Sequence, residues 1–345
     1  MFQTFLFNIV LLRASNLRRM KHHGIFLKMA VLLLSKTQMK DITSLINFDN
    51  GMINELIRNT SHIKNHPENY YNALRNKTML MIFEKPSLRT RVSFQVGMNQ
   101  LGGHAIVLET KDTPFREKES IADTARASSR YCHIIMARLY KQEDIEELAD
   151  NATVPVINGL TNTFHPCQVL SDLYSIFEKK KTFKGLKLSF VGDGNNNITH
   201  DLLLGCSAAG IDISVGCPSE FSPQDWIVKI AKEKSKISNS KVEILNDAES
   251  AVEDSDVVYA DTWMSYHIPK EEKEKRIKIF QPYQVNKELM SHAKDDAIFM
   301  NCLPAMRGYE QTADVIDGKQ SIVFDQAENR LHMQKAIILK LIDKI

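Results

Sequence analysis

The sequence has no Cys-x-x-Cys pair. Its five cysteines, Cys132, Cys167, Cys206, Cys217 and Cys302, are scattered and odd in number. That spacing offers neither a zinc site nor a disulfide framework, and it fits a reducing compartment. No apolar run is long enough to cross a bilayer, so no membrane partner is expected. A basic stripe is also missing. The net charge of +2 becomes −4 once the six Lys and Arg of residues 1–38 are set aside. A mildly acidic body of this kind speaks against nucleic acid. Asp193-Gly194 follows a strand-like run but lacks the three-glycine spacing of a dinucleotide loop, which excludes nicotinamide binding.

Residues 1–38 contain no acid at all. Two apolar runs, 5–12 and 29–34, flank Arg18-Arg19-Met20-Lys21-His22-His23. A leader of this composition fits a mitochondrial transit peptide, which would place the protein in the matrix. The favoured alternative is upstream sequence ahead of a true start at Met29 or Met39, with a cytoplasmic protein. Either way the segment is expected to stay outside the fold.

The rest has ordinary enzyme-like composition. With 345 residues, 43% hydrophobic and 25% charged, the chain can build two domains around large cores. A helical pattern begins at Ile42 and carries Met52, Leu56 and Ile57. Strand-like runs then alternate with helical ones. Residues 79–83, 105–108, 133–139 and 154–158 are the expected strands of the first half. Residues 186–192, 212–215, 242–245, 257–260, 297–300 and 322–324 are those of the second. A final helix is expected over 327–345. This alternation is the pattern of parallel sheets covered on both faces, an α/β architecture in each half. The charged run 178–184 marks the crossing between the halves.

Polar residues collect just after strand ends, where open α/β sheets bind ligands. Lys85-Pro86 stops the first strand, and Ser87 can cap a helix whose first turn holds Leu88, Arg89 and Thr90. A helix N-terminus with two hydroxyls and a guanidinium suits a phosphate-sized dianion. Arg138 ends the third strand, so its guanidinium should face the same cleft. His165 and Gln168 stand three apart at a helix start and share a face, fit to polarise a carbonyl. Asn195-Asn196-Asn197 opens another helix and suggests neutral recognition of an α-carboxylate or amine. Asp261 ends a strand and suits a cationic amino group. Asn301-Cys302-Leu303-Pro304 follows a further strand, and Arg330 opens the final helix.

Together these stretches resemble the aspartate/ornithine carbamoyltransferase family over residues 40–345, and within it the members directed at ornithine. The family's Ser-Thr-Arg-Thr-Arg is similar to Ser87-Leu88-Arg89-Thr90-Arg91, and its His-Pro-x-Gln to His165-Pro166-Cys167-Gln168. Its Asp-x-x-x-Ser-Met-Gly loop is similar to Asp261 through His267, and its His-Cys-Leu-Pro to Asn301-Cys302-Leu303-Pro304. The ending Phe324-Asp325-Gln326-Ala327-Glu328-Asn329-Arg330 is also close. The resemblance implies two Rossmann-like α/β domains joined by a hinge, with a C-terminal helix packing back on the first. Residues 39–178 plus 328–345 would bind carbamoyl phosphate, and 179–327 would bind ornithine.

The implied reaction transfers the carbamoyl group of carbamoyl phosphate to the δ-amine of L-ornithine, giving L-citrulline and phosphate. Ser87, Leu88, Arg89 and Thr90 would hold the phosphate, with Arg138 reaching phosphate and carbonyl oxygens. His165 and Gln168 would take the carbamoyl end, while Cys302, Leu303 and Arg330 close the pocket. Asn197, Asp261, Ser265 and Tyr266 would bind the amino acid. Arg138, His165, Gln168, Asp261 and Cys302 are the candidate catalytic set. The chemistry requires no metal or cofactor, and the family implies a homotrimer or larger homo-oligomer.

Three positions depart from the family pattern. Leu88 stands for Thr, Asn301 for His, and Tyr266-His267 for Met-Gly in the loop over the amino acid. The last leaves open putrescine or another amine as acceptor. A non-catalytic phosphate-binding relative is the alternative of a different class. Retention of Arg89, Arg138, His165, Gln168, Asp261, Cys302 and Arg330 argues against it.

Overall fold

Two all-parallel sheets carry the described part of the chain. The structure, a computed structural model, describes residues 39–345 apart from 113, 114, 117, 266 and 267. The expected leader at 1–38 lies outside the described residues. In chain order the elements of the first half are α1 (Asn50–Asn65), β1 (Thr78–Phe83), α2 (Arg89–Gln100) and β2 (His104–Glu109). They continue with α3 (Ile121–Ser128), β3 (Ile134–Arg138), α4 (Gln142–Asn151), β4 (Val156–Leu160) and α5 (Pro166–Lys180). The second half begins with β5 (Lys187–Val191), α6 (Asn197–Ala209), β6 (Asp212–Gly216), α7 (Asp225–Ser238) and β7 (Val242–Leu245). It goes on through α8 (Ala248–Val252), β8 (Val257–Ala260), α9 (Lys273–Phe280) and α10 (Lys287–Met290). Its last elements are β9 (Ile298–Met300), α11 (Ala313–Ile316) and α12 (Val323–Leu341).

The first sheet has the order β2-β1-β3-β4 and the second β7-β6-β5-β8-β9. Strands buried on both faces need near-continuous apolar runs, and β3 and β8 are buried at every residue. In each sheet the strand order reverses at one place. That switch point lies between β1 and β3 in the first sheet and between β5 and β8 in the second. Crevices at such points, beyond the C-terminal ends of the strands, are where doubly wound sheets bind ligands. The chain therefore builds two ligand-binding edges.

Helix α12 packs on α1, α2 and α5 and also touches β9. It bridges the two sheets. Among the described residues no helix is long and apolar enough to cross a membrane.

Three expected boundaries move. The helix expected from Ile42 starts at Asn50, where the Asp49 side chain accepts the Met52 N–H. Before it, Ile42 pairs with Ile157 as an extra edge beside β4, and Asp41 Oδ1 accepts the Val156 N–H at 2.7 Å. That edge places Ile42 in the sheet. The strand expected at 322–324 is absent, because α12 already begins at Val323 with Asp325 in its first turn. What pairs with β9 is a single bridge between Ser321 and Phe299, closed by Phe299 N–H donating to Gln320 O at 2.8 Å and Ile322 N–H donating to Phe299 O at 3.0 Å. An apolar triplet such as Ile322-Val323-Phe324 does not distinguish strand from helix by itself. The final helix consequently starts earlier than residue 327.

Candidate active site

One cavity of about 230 Å³ lies between the strand ends of the two sheets. Every site residue expected from the sequence that lies among the described residues lines it, from Ser87 through Asn197 and Asp261 to Arg330. Tyr266 lies outside the described residues.

The first wall forms where β1 and β3 end. Helix α2 starts at Arg89, and Leu88 ahead of it already has helical angles with no side-chain cap. Ser87 therefore does not cap the helix, which corrects the sequence expectation. The effect is to leave the first turn's N–H groups without a side-chain acceptor beneath the cavity. Thr90 and Arg330 are both buried, and Arg330 Nη2 donates to Thr90 Oγ1 at 2.7 Å. Arg138 is buried at the end of β3, in register with Phe83 on β1. Leu88 lines the cavity, yet 72% of it is exposed.

His165 precedes α5 and is buried, and its main-chain N–H donates to Asp201 Oδ2 at 2.5 Å. Burial, then Arg330, Arg138 and Lys85, hold its imidazole well below the usual histidine range. It is therefore a neutral group beside two guanidiniums and the Lys85 amine, able to donate one hydrogen and accept another. Its Nδ1 has no hydrogen-bond partner in the protein. Gln168, one turn on, donates Nε2–H to Asp172 Oδ1 at 2.8 Å, while its Oε1 is buried without a partner.

The opposite wall comes from the second sheet. Asp261 follows β8 and is buried, and the Cys302 thiol donates to its Oδ1 at 3.1 Å. Burial pushes the Asp261 carboxyl up to about 6, although the Cys302 contact pulls the other way. Burial and the adjacent Asp261 raise the Cys302 thiol well above its usual range, so it stays a thiol. Leu303 takes a left-handed conformation, φ +55°, which turns the loop after β9 toward the cavity.

The three asparagines divide their work. Asn196 caps α6 by accepting the Ile198 and Thr199 N–H groups, and Asn195 N–H turns back to Asp193 Oδ1. Only Asn197 lines the cavity, with its Nδ2 donating to Thr161 O at 2.6 Å.

Sequence reasoning missed several neighbours. Lys85, read only as a strand stop, is buried against Asn162 Oδ1 and lies 4.5 Å from the Tyr140 ring centroid. Burial and Arg138 push its ammonium down to about 7. Its place after the strand, beside an acid and a proline, was the available signal. Asp201 was missed because its partners, His165 and Leu45, lie far away in sequence. Asp193 was read as part of a loop. It forms a buried ion pair with Arg276, whose Nε donates to Trp263 O at 2.6 Å. Arg276 thereby braces the segment that follows Asp261.

Clustered guanidiniums at a helix start, facing a carboxylate across a cleft between two doubly wound sheets, define a class. It is that of two-lobed enzymes that bring an anionic donor to a cationic acceptor. The comparisons narrow this. The family model for the carbamoyl-P binding domain of aspartate/ornithine carbamoyltransferase matches residues 40–178, and that for the Asp/Orn binding domain matches 184–341. An anabolic ornithine carbamoyltransferase from Pyrococcus furiosus is 52% identical over 268 residues, 78% of this chain and 84% of that protein. The ornithine carbamoyltransferase of Bacillus thuringiensis is 44% identical over 317 residues, covering 92% of this chain and 99% of its own. A solved structure of ornithine carbamoyltransferase from Pyrococcus furiosus superposes with a TM-score of 0.85 at 46% identity, covering 89% of this chain and 98% of that one. The chain belongs to the aspartate/ornithine carbamoyltransferase family.

Proposed function

We propose that this protein transfers the carbamoyl group of carbamoyl phosphate to the δ-amine of L-ornithine, giving L-citrulline and phosphate in arginine biosynthesis. The observation that carries the reading is the cavity itself. Arg89, Arg138 and Arg330 line it on one side, and Asp261 with Cys302 on the other. The similar proteins named as ornithine carbamoyltransferases support the same acceptor.

In the forward step a C–N bond forms at the carbamoyl carbon and the C–O bond to phosphate breaks. The neutral amine loses one proton, which in the overall balance ends on the departing group, so hydrogen phosphate leaves. Ser87, Arg89 and Thr90 bind the phosphate, where the α2 N-terminus adds its dipole and free N–H groups. Arg138 and neutral His165 stabilise charge developing on the carbonyl oxygen. A free amine of this kind titrates at about 10.4, so the site must favour its neutral form. Holding donor and acceptor in one small cavity supplies the orientation that a bimolecular reaction in water lacks. Asn197, Asp261 and Ser265 hold the amino-acid end of ornithine, and the thiol of Cys302 restrains the Asp261 carboxylate.

Residues 39–178 with 328–345 form the donor-binding domain of this reading, and 179–327 the acceptor-binding one. We place the enzyme in the cytoplasm, since its five free cysteines suit a reducing compartment. We also infer that it works as a homotrimer or larger homo-oligomer. Leu88, Val92 and Val96 stand four apart on and before α2, all exposed, with exposed Ile106 on the edge strand β2. Such an apolar stripe beside an open sheet edge is suited to cover by another copy.

The reading is tested by incubating the purified protein with carbamoyl phosphate and ornithine and measuring both products. Citrulline and phosphate should appear in equal amounts. Phosphate without citrulline, or neither product from folded protein, would refute it.

A further inference from the structure

Asp172 lies on α5, fully buried, one turn beyond Gln168. Three donors converge on its carboxylate. Gln168 Nε2 and Gln326 Nε2 both reach Oδ1 at 2.8 Å, and the Tyr259 hydroxyl reaches Oδ2 at 2.9 Å. Gln326 comes from α12 and Tyr259 from β8, so a residue beside the donor site is held by the second sheet and the bridging helix. Gln326 also extends the network. Its Oε1 accepts the Asn301 N–H at 3.0 Å, and Asn301 Oδ1 accepts the Leu303 N–H at 2.8 Å.

An amide presents two different ends, a donor and an acceptor, that are nearly equal in size. An ionised carboxylate can only accept, so any amide bonded to it must offer its NH2 group. Gln168 meets Asp172 in that sense, and its Oε1 is the end left without a protein partner. Gln168 lines the cavity. The carbamoyl group carries an NH2 of its own, a pure donor, and needs an acceptor there. A flipped Gln168 would set donor against donor.

We propose that Asp172 is a positioning residue that fixes the Gln168 amide with its carbonyl oxygen toward the carbamoyl NH2 group. The proposal rests on the carbamoyl-transfer reading above. Burial lifts the Asp172 carboxyl to about 6, while its three hydrogen bonds and Arg330 pull it down. It is therefore ionised at neutral pH and acts as an acceptor only. Because Tyr259 and Gln326 hold Asp172 in turn, the orientation of a donor-site amide is set from the acceptor side of the cleft.

The test is a double-mutant cycle read by steady-state kinetics of citrulline formation with each substrate varied. Asp172→Leu removes every acceptor at similar volume. It should lower kcat/KM for carbamoyl phosphate by about 10²-fold, the scale of a misplaced contact at the reacting group. Asp172→Asn keeps one oxygen where the two glutamines meet and should recover most of that loss. In a Gln168→Ala background both substitutions should change the same constant by less than about threefold. Should Asp172→Leu fail to fold, Asp172→Ala takes its place in the cycle. Equal losses with and without Gln168, or Asp172→Asn as damaging as the leucine variant, would overturn the proposal. An inactive wild type would refute the carbamoyl-transfer reading and this proposal with it. An active wild type with additive variants overturns this proposal alone.

Discussion

Arg330 and Thr90 are 240 residues apart in sequence and are joined by a 2.7 Å hydrogen bond from guanidinium to hydroxyl. The contact ties α12 to the first turn of α2, the proposed phosphate site. Its energetic weight comes from burial, since both residues are nearly inaccessible and water does not compete. Arg330→Leu should therefore lower kcat/KM for carbamoyl phosphate by about 10²- to 10³-fold. Arg89→Ala should lose at least about 10³-fold. Initial rates with donor varied decide this. Wild-type-like values for either variant would remove that guanidinium from the phosphate site.

Acceptor use should depend on pH through Asp261, whose carboxyl titrates at about 6. As pH falls through that value the carboxylate gains a proton and loses its attraction for an ammonium group. kcat/KM for ornithine should then drop below about pH 6. The stability effect has the opposite sign. The folded value lies above the ordinary 3.8, so the neutral carboxyl's contribution is complete below pH 3.8 and is lost as pH rises through about 6. A bound ammonium offsets that loss. The rise in Tm given by ornithine should accordingly grow from about pH 5 to about pH 7, as thermal melts can measure. A flat response would take Asp261 out of the ammonium site.

The buried pair of Arg276 and Asp193 braces the loop after β8. Its side chains are only 6% and 5% exposed. Arg276→Met leaves a buried carboxylate unpaired and releases the Trp263 carbonyl, and should destabilise the fold by about 3–5 kcal/mol. Adding Asp193→Asn removes the stranded charge and should restore part of that. Urea denaturation of the two variants checks the order. A double variant weaker than the single would contradict the account.

Assembly should depend on the apolar stripe of α2. Val92 is 48% exposed and faces no described part of this chain's core. Val92→Glu would place a charge in the proposed interface and should shift the protein toward smaller species in sedimentation. An unchanged mass would move the interface elsewhere.

How far the sequence reveals the molecule varies by region. Strand β8 falls where its apolar run predicts, because a strand buried on both faces leaves a short, bounded hydrophobic segment. The first turn of α12 was misread because Ile322-Val323-Phe324 fits either period, and the choice is made by packing against distant helices. Ser87 illustrates the same limit at one residue. It has the right chemistry for a cap, but the helix begins at Arg89 after a residue already in helical conformation. Arg330 lies inside α12, but most motif residues were legible because they lie at or just after a strand end. Lys85, Asp172 and Asp201 were not, since their roles come from burial and from partners remote in sequence.

The most direct measurement compares acceptors in the carbamoylation assay, with L-ornithine, putrescine, N-acetylornithine and L-aspartate supplied in turn beside carbamoyl phosphate. The account predicts that ornithine has the highest kcat/KM by at least about 10²-fold, because Asp261 and Asn197 engage amino-acid groups that putrescine lacks and N-acetylornithine masks, while aspartate has no δ-amine and brings a second carboxylate against Asp261. A preference for putrescine, or for any acceptor over ornithine, would contradict it.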